Sequence, residues 1–215
     1  MDFDDDDCPP RLFHKLCDNV DFRMFFADRV QRLLFPGGVL APERAARRYE
    51  LLVNQIQKAI VVESARWGNY RRDVHQYKLG PYEFYKPDIH WQPEVNRLLS
   101  RYFLERPAAF LAQLRERGLF PRTPAPTGQI RLDTLALAAR EGTIYYAIGG
   151  ADPRFPGGAV SPIAQRYEQP IVLKPGQRIR ARAAFGAGTA LEWSALAEFG
   201  LPAANTTSAS IELAQ

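Results

Sequence analysis

The sequence predicts an α+β chain of two parts: a small all-α helical domain, then a small antiparallel β-sandwich of immunoglobulin or fibronectin type. Three observations predict it. Apolar residues recur at helical spacing through the first half. A Pro-rich run, residues 121–128, cannot continue a helix. Beyond it, short alternating segments separated by Gly and Pro take over.

The chain begins with an acidic stretch, residues 1–10, expected to be solvated and disordered. The helical segment is expected over 11–120. Phe22, Phe25, Phe26, Val30, Leu33 and Leu34 form one stripe, which stops at Pro36-Gly37-Gly38. A second helix starts at Pro42, a good first-turn residue. Glu43 beside it suits the positive end of the helix dipole. It carries Ala46, Tyr49, Leu52, Val53, Ile56, Ala59, Ile60 and Ala65 on its apolar stripe and ends near Trp67-Gly68. Residues 68–91 break the pattern and read as an aromatic-rich irregular segment. A helix resumes near Pro93 with Val95, Leu98, Leu99, Tyr102 and Phe103 on one face. A last short helix carries Ala109, Phe110, Leu111 and Leu114 and ends in Arg115-Glu116-Arg117-Gly118, cations followed by a C-terminal glycine.

Residues 121–128 read as a linker, and the sandwich is expected over 129–202. Its strand candidates are Gln129 to Ala138, Thr143 to Ile148, Gln169 to Leu173, Arg178 to Phe185 and Leu191 to Phe199. Arg178, Arg180 and Arg182 alternate with Ile179, Ala181 and Ala183, the period of a strand with one wet face. Short strands with turn signals between them predict a sandwich. Residues 203–215 form a tail, with one strand-like run at Ile211-Glu212-Leu213.

Composition narrows the function classes. A net charge of +4 comes from 28 basic residues interleaved with 24 acidic ones, which is no nucleic-acid footprint. Cys8 and Cys17 lie nine apart, and both a disulfide and two free thiols fit that spacing. His14, His75 and His90 are scattered and do not pair with the cysteines at metal-ligand spacing. No run of about 18 apolar residues is present to span a membrane. No basic and apolar leader is visible either.

Two segments carry a resemblance. The first includes Arg11-Leu12-Phe13, Phe22-Arg23 through Gln31, Gly37-Gly38, and Ala59 through Trp67-Gly68. It continues with His90-Trp91, Pro93 to Leu99, Gln113-Leu114-Arg115 and Gly118 to Pro121. Residues 10 to 121 resemble the C-terminal helical part of bacterial CotH kinase family proteins, the variety that carries lamin-tail domains. The second comprises Gly142 to Tyr146, Asp152-Pro153-Arg154, Pro156-Gly157-Gly158, Ser161-Pro162, Pro170 to Leu173 and Ile179 to Arg182. It is similar to the chitobiase/β-hexosaminidase C-terminal-type domain, an immunoglobulin-like sandwich. That family usually reads Tyr-Tyr-Thr-x-Asp-Gly-Ser-Asp-Pro at this turn. Here Ala147, Gly149 and Ala151 replace the Thr, the first Asp and the Ser, which removes side-chain oxygens that brace the turn.

The resemblance implies an exported parent, extracellular or on the cell surface, whose kinase-like core precedes this helical segment. Phosphoryl transfer needs a phosphate cradle, a cationic clamp, metal-holding carboxylates and a positioned base. Gly37-Gly38 and Gly157-Gly158 are isolated pairs, far from a glycine-rich phosphate loop. The chain is therefore expected to be a non-catalytic fragment, with no cofactor of its own. ATP with Mg or Mn would come only with the kinase-like core. The expected partners are that core or neighbouring domains, and a cell-surface protein or glycan. Atypical protein kinase activity and a carbohydrate-binding module stand as alternatives.

The candidate contact residues are aromatic. Tyr70, Tyr77, Tyr82, Phe84, Tyr85, His90 and Trp91 lie in the irregular segment. They either anchor a partner or sugar, or fold inward to cap the helices; the inward arrangement is expected. In the sandwich the candidates are Tyr145, Tyr146 and Trp193. Tyr145 and Tyr146 must face opposite sides of one strand, and Trp193 is expected in the core. Tyr82, Tyr85, Trp91, Tyr145 and Trp193 are the residues assigned to contact. Asp2 and Asp4 to Asp7 have the chemistry of a hard-cation site, but nothing in the sequence fixes the backbone a cage needs. Arg47-Arg48, Arg66 and Arg71-Arg72 read as a solvated helix face with Glu43, Glu50 and Glu63 as counter-charges.

Overall fold

The computed structural model describes residues 10–76, 83–186 and 191–203. The acidic opening with Cys8, the aromatics Tyr77 and Tyr82, and the tail with Ile211-Glu212-Leu213 lie outside the described residues.

Among the described residues there are five α-helices: α1 Pro10–Cys17, α2 Val20–Leu34, α3 Pro42–Trp67, α4 Gln92–Arg97 and α5 Phe103–Glu116. Asn19 starts α2, its side-chain oxygen accepting from the N–H groups of Asp21 at 2.8 Å and Phe22 at 3.1 Å. Pro42 opens α3 and Gly68 closes it. The irregular aromatic segment is more regular than its composition suggests. It contains wide, π-type helical turns at Tyr70–Val74 and Pro87–Trp91, and a third, Leu98–Tyr102, joins α4 to α5.

The described strands are β1 Thr127–Arg131, β2 Thr134–Ala138, β3 Thr143–Ile148, β4 Gln165–Arg166, β5 Ile171–Val172, β6 Arg178–Phe185, β7 Glu192–Trp193 and β8 Ala197–Gly200. They form two antiparallel sheets of an immunoglobulin/fibronectin-like sandwich, with order β1-β2-β5 in one and β4-β3-β6-β7 in the other. β8 pairs with β6 beside β7. Two strand expectations are corrected. Gln129 to Ala138 is a hairpin, folded at Leu132, which takes a left-handed φ of 58° without the glycine that normally announces such a turn. Leu191 to Phe199 is two strands, broken at Ser194 to Leu196.

Leu135, Leu137, Ile144, Leu173, Ile179 and Ala181 form the sandwich core, with Tyr146, Tyr167, Ile171 and Phe199 packed around them. Each fully buried aliphatic side chain contributes about 1.5–3 kcal/mol.

Contacts divide the chain elsewhere than the Pro-rich run. One unit gathers the described residues up to Arg32 with those from Gln113 on; the other is Leu33–Ala112. Helix α1, and α2 as far as Arg32, thus belong with the sandwich. Nor is 121–128 a free tether, because Thr123 is buried and its N–H donates to the Glu192 carboxylate at 3.3 Å.

Candidate functional site

Asp21, Met24 and Asp28 stand at i, i+3 and i+7 on α2 and therefore share one face. The sandwich meets that face with β6. Ile179 and Ala181 point into the core, so Arg180, Arg182 and Ala184 point out. Tyr145 stands opposite Arg182, and Trp193 opposite Ala184, on the same outer side.

The alternation that reads Arg182 as wet is corrected here: Arg182 is only 1% exposed. Its Nη1 and Nη2 donate to the two oxygens of Asp28 at 2.8 and 2.6 Å. Its Nε and Nη2 donate to the two oxygens of Asp152 at 2.7 and 2.6 Å. Nη1 also donates to the backbone oxygen of Ser194 at 2.9 Å, made available where β7 and β8 break. Desolvation alone would lower the pKa of Arg182, but the hydrogen bonds of Asp152 and Asp28 outweigh it and raise the value. Two bidentate carboxylates are the strongest pairing a guanidinium can make.

A second pair lies two turns along the helix. Arg154 Nη2 is 2.6 Å from Asp21 Oδ1, and the Gly157 N–H donates to both Asp21 oxygens at 3.2 Å. The Arg154 hydrogen bond, then that of Gly157, hold the Asp21 carboxyl below its ordinary range. Arg154 is set by an Asx turn, its N–H donating to Asp152 Oδ1 at 2.9 Å. Asp152 thus orients both arginines.

Beside these pairs runs a groove of about 270 Å³, lined by Met24 and Ala27 of α2, Leu119, Phe120, Arg154 and Trp193. Trp193 is buried and its indole N–H donates to the Gly158 carbonyl at 2.6 Å. Cys17, at the end of α1, carries a free thiol whose pKa is raised by desolvation.

The unit Leu33–Ala112 presents a different surface. Val53 is the buried residue of α3, whereas Leu51, Leu52, Ile56, Val61, Val62 and Trp67 are exposed. The predicted stripe therefore faces solvent at Leu52 and Ile56. Past α3, the Tyr85 N–H donates to the Gly68 carbonyl at 2.9 Å, and a Cβ on Gly68 would strike backbone oxygens of Ser64 and Tyr85. Tyr70, Phe84 and Tyr85 are exposed, which departs from the inward arrangement expected of them. Their rings are met by polar partners instead. Arg72 lies 3.7 Å above Phe84, and His90 stands 5.2 Å edge-on to Tyr85. Trp91 is half-buried.

Of the residues assigned to contact, Tyr145 and Trp193 come together, with ring centroids 5.8 Å apart. Tyr85 and Trp91 lie in the other unit. Among the described residues no group of three His, Cys, Asp or Glu side chains is placed to hold a metal ion. Asp28, Asp152 and Arg154 are not legible as site residues in the sequence. The Asp152-Pro153-Arg154 string marks a turn in the sequence, and nothing local signals that Asp28 reaches it.

Compared with known families, residues 134–190 match the Fn3 associated family. The match identifies the sandwich as an Fn3-associated module following a helical region, and it names neither the CotH kinase family nor the chitobiase-type domain. No curated protein and no solved structure matches the chain.

Proposed function

We propose that the chain works by docking rather than by catalysis, as the helical support and sandwich spacer of a bacterial CotH kinase-like protein. The observation that carries this reading is α3. A 26-residue helix that buries Val53 and leaves Leu51, Leu52, Ile56, Val61 and Val62 in solvent has apolar surface awaiting a partner. A kinase-like core or neighbouring domain of the parent protein is the partner the resemblance suggests. The Fn3-associated sandwich, stiffened by the Arg182 cluster, then serves as spacer or docking module on the cell surface.

The test is binding of an apolar-surface dye to the full chain. Saturable binding that falls by half or more in Leu52→Glu/Ile56→Glu is expected; absence of dye binding would sink the proposal. A nucleotide titration with Mg²⁺ or Mn²⁺ separates it from phosphoryl transfer. Affinity tighter than the millimolar level, about −4 kcal/mol, would favour the enzymatic alternative instead.

A further inference from the structure

Asp21 and Asp28 are seven residues apart, about 10.5 Å along one face of a helix. Each carboxylate is read twice by the sandwich. Asp28 takes both terminal nitrogens of Arg182, and its Oδ1 also accepts from the Leu196 N–H at 2.8 Å. Asp21 takes Arg154 and the Gly157 N–H. Between them, Met24 brings its sulfur to 3.2 Å from Arg182 Nη1, and Ala27, fully buried, lets the helix approach closely.

The sandwich holds this seat ready from its own side. Arg182 is fixed by Asp152 and the Ser194 carbonyl, and the Arg154 backbone is fixed by Asp152. We infer that the outer face of β6, together with the Arg154–Gly157 turn between β3 and β4, is a receptor for an acidic helix, reading two carboxylates two turns apart, and that α2 is its occupant in cis. A partner that fits must carry Asp at i and i+7 with small or flexible apolar residues, as Met24 and Ala27 are here, on the face between them. Glutamate would set its carboxylate one methylene too far out for the paired 2.6–2.8 Å contacts at Asp28. Removing the helix takes away one of the two carboxylates of Arg182 and its cover, so the sandwich is incomplete without its helix. The module that folds is then wider than residues 134–190. The seat lies in a different unit from α3 and holds whether or not α3 meets a partner.

The experiment uses the full chain carrying Asp21→Asn/Asp28→Asn. Trypsin is expected to cut at Arg23 and Arg29 of α2 at least tenfold faster than in the unaltered chain, while Arg178 to Arg182 stay protected. A fluorescent peptide of residues 18–34 should then bind the variant in trans with saturable anisotropy. The same peptide with both Asp changed to Asn should bind at least tenfold more weakly. Should the double variant fail to fold, Asp21→Asn alone decides, since that carboxylate is half exposed and, among the described residues, is held by Arg154 and Gly157. Its α2 cleavage should rise about threefold. Unchanged cleavage in the variant that folds, or equal binding of the Asp and Asn peptides, overturns the inference.

Discussion

The hydroxyl of Tyr167 accepts a hydrogen bond from the Leu137 N–H at 2.9 Å, while its own N–H donates to Ile144 at 2.8 Å, so one residue ties the two sheets together. β5 pairs with β2 only at Thr134 and Leu135, and Leu137 lies past the end of that ladder. The phenol supplies the acceptor that the missing strand does not. Tyr167→Phe strands a buried donor and should lower unfolding stability by about 1–3 kcal/mol. Urea denaturation checks this; the slope should stay constant while the midpoint falls.

Gly142 precedes β3 with φ +80°, a conformation that side-chain-bearing residues rarely adopt. A Cβ there would lie 2.5 Å from the backbone oxygen of Ala184, which is paired with Thr143 and cannot swing aside. Gly142→Ala should cost about 1–2 kcal/mol from the left-handed backbone alone, with the clash added. Thermal unfolding followed by circular dichroism gives the measure, and a midpoint equal to that of the unaltered chain would refute it.

Arg182 makes a sharper contrast available. Arg182→Met leaves Asp28, mostly buried, without its guanidinium and should cost about 3–5 kcal/mol. Arg182→Met/Asp28→Leu removes the more buried of the two carboxylates left without Arg182, Asp152 being the other, and should recover part of that loss. Denaturant midpoints of the two variants decide; a double variant no better than the single would show that the Asp28 charge does not set the cost.

These residues also show what the sequence makes legible. Pro42 and Gly68 bracket α3 by local chemistry, and the alternation from Arg178 to Phe185 marks β6 over its full length. Period alone says which side chains share a face, not whether a second layer covers that face. Arg182 therefore reads as solvated, while its cover, Asp28, stands 154 residues away in the chain. The hairpin at Leu132 escapes for the opposite reason. The turn is local, but Leu, not Gly or Asn, occupies its left-handed position. The aromatic segment after Gly68 misleads because ring count suggests burial, whereas Arg72 and His90 supply partners that keep Phe84 and Tyr85 at the surface.

The Asp21–Arg154 pair makes stability depend on pH in a defined direction. The folded-state pKa of Asp21 is depressed, first by the Arg154 hydrogen bond and then by that of Gly157. Its contribution is therefore fully present above the ordinary aspartate value of about 3.9 and is lost as pH falls through the lower folded value. The stability difference between the unaltered chain and Asp21→Asn should be constant at neutral pH and shrink below about pH 4. A difference that persists unchanged at low pH would mean that the amide disturbs the helix rather than the pair. Solvent screening keeps the effect small, because Asp21 is half exposed.

The neighbours Leu52 and Val53 separate folding from docking on α3. Val53 is 8% exposed, so Val53→Ala opens a cavity and should cost about 1–2 kcal/mol. Leu52 is 58% exposed, and Leu52→Ala should stay within about 0.5 kcal/mol of the unaltered chain. If α3 serves a partner, the ranking inverts for function. Leu52→Ala weakens dye binding at unchanged stability, whereas Val53→Ala shifts the unfolding midpoint and leaves dye binding to the folded chain as it was. Parallel titrations on both variants test this. Equal dye binding by the unaltered chain and Leu52→Ala would show that the exposed stripe is only solvated surface.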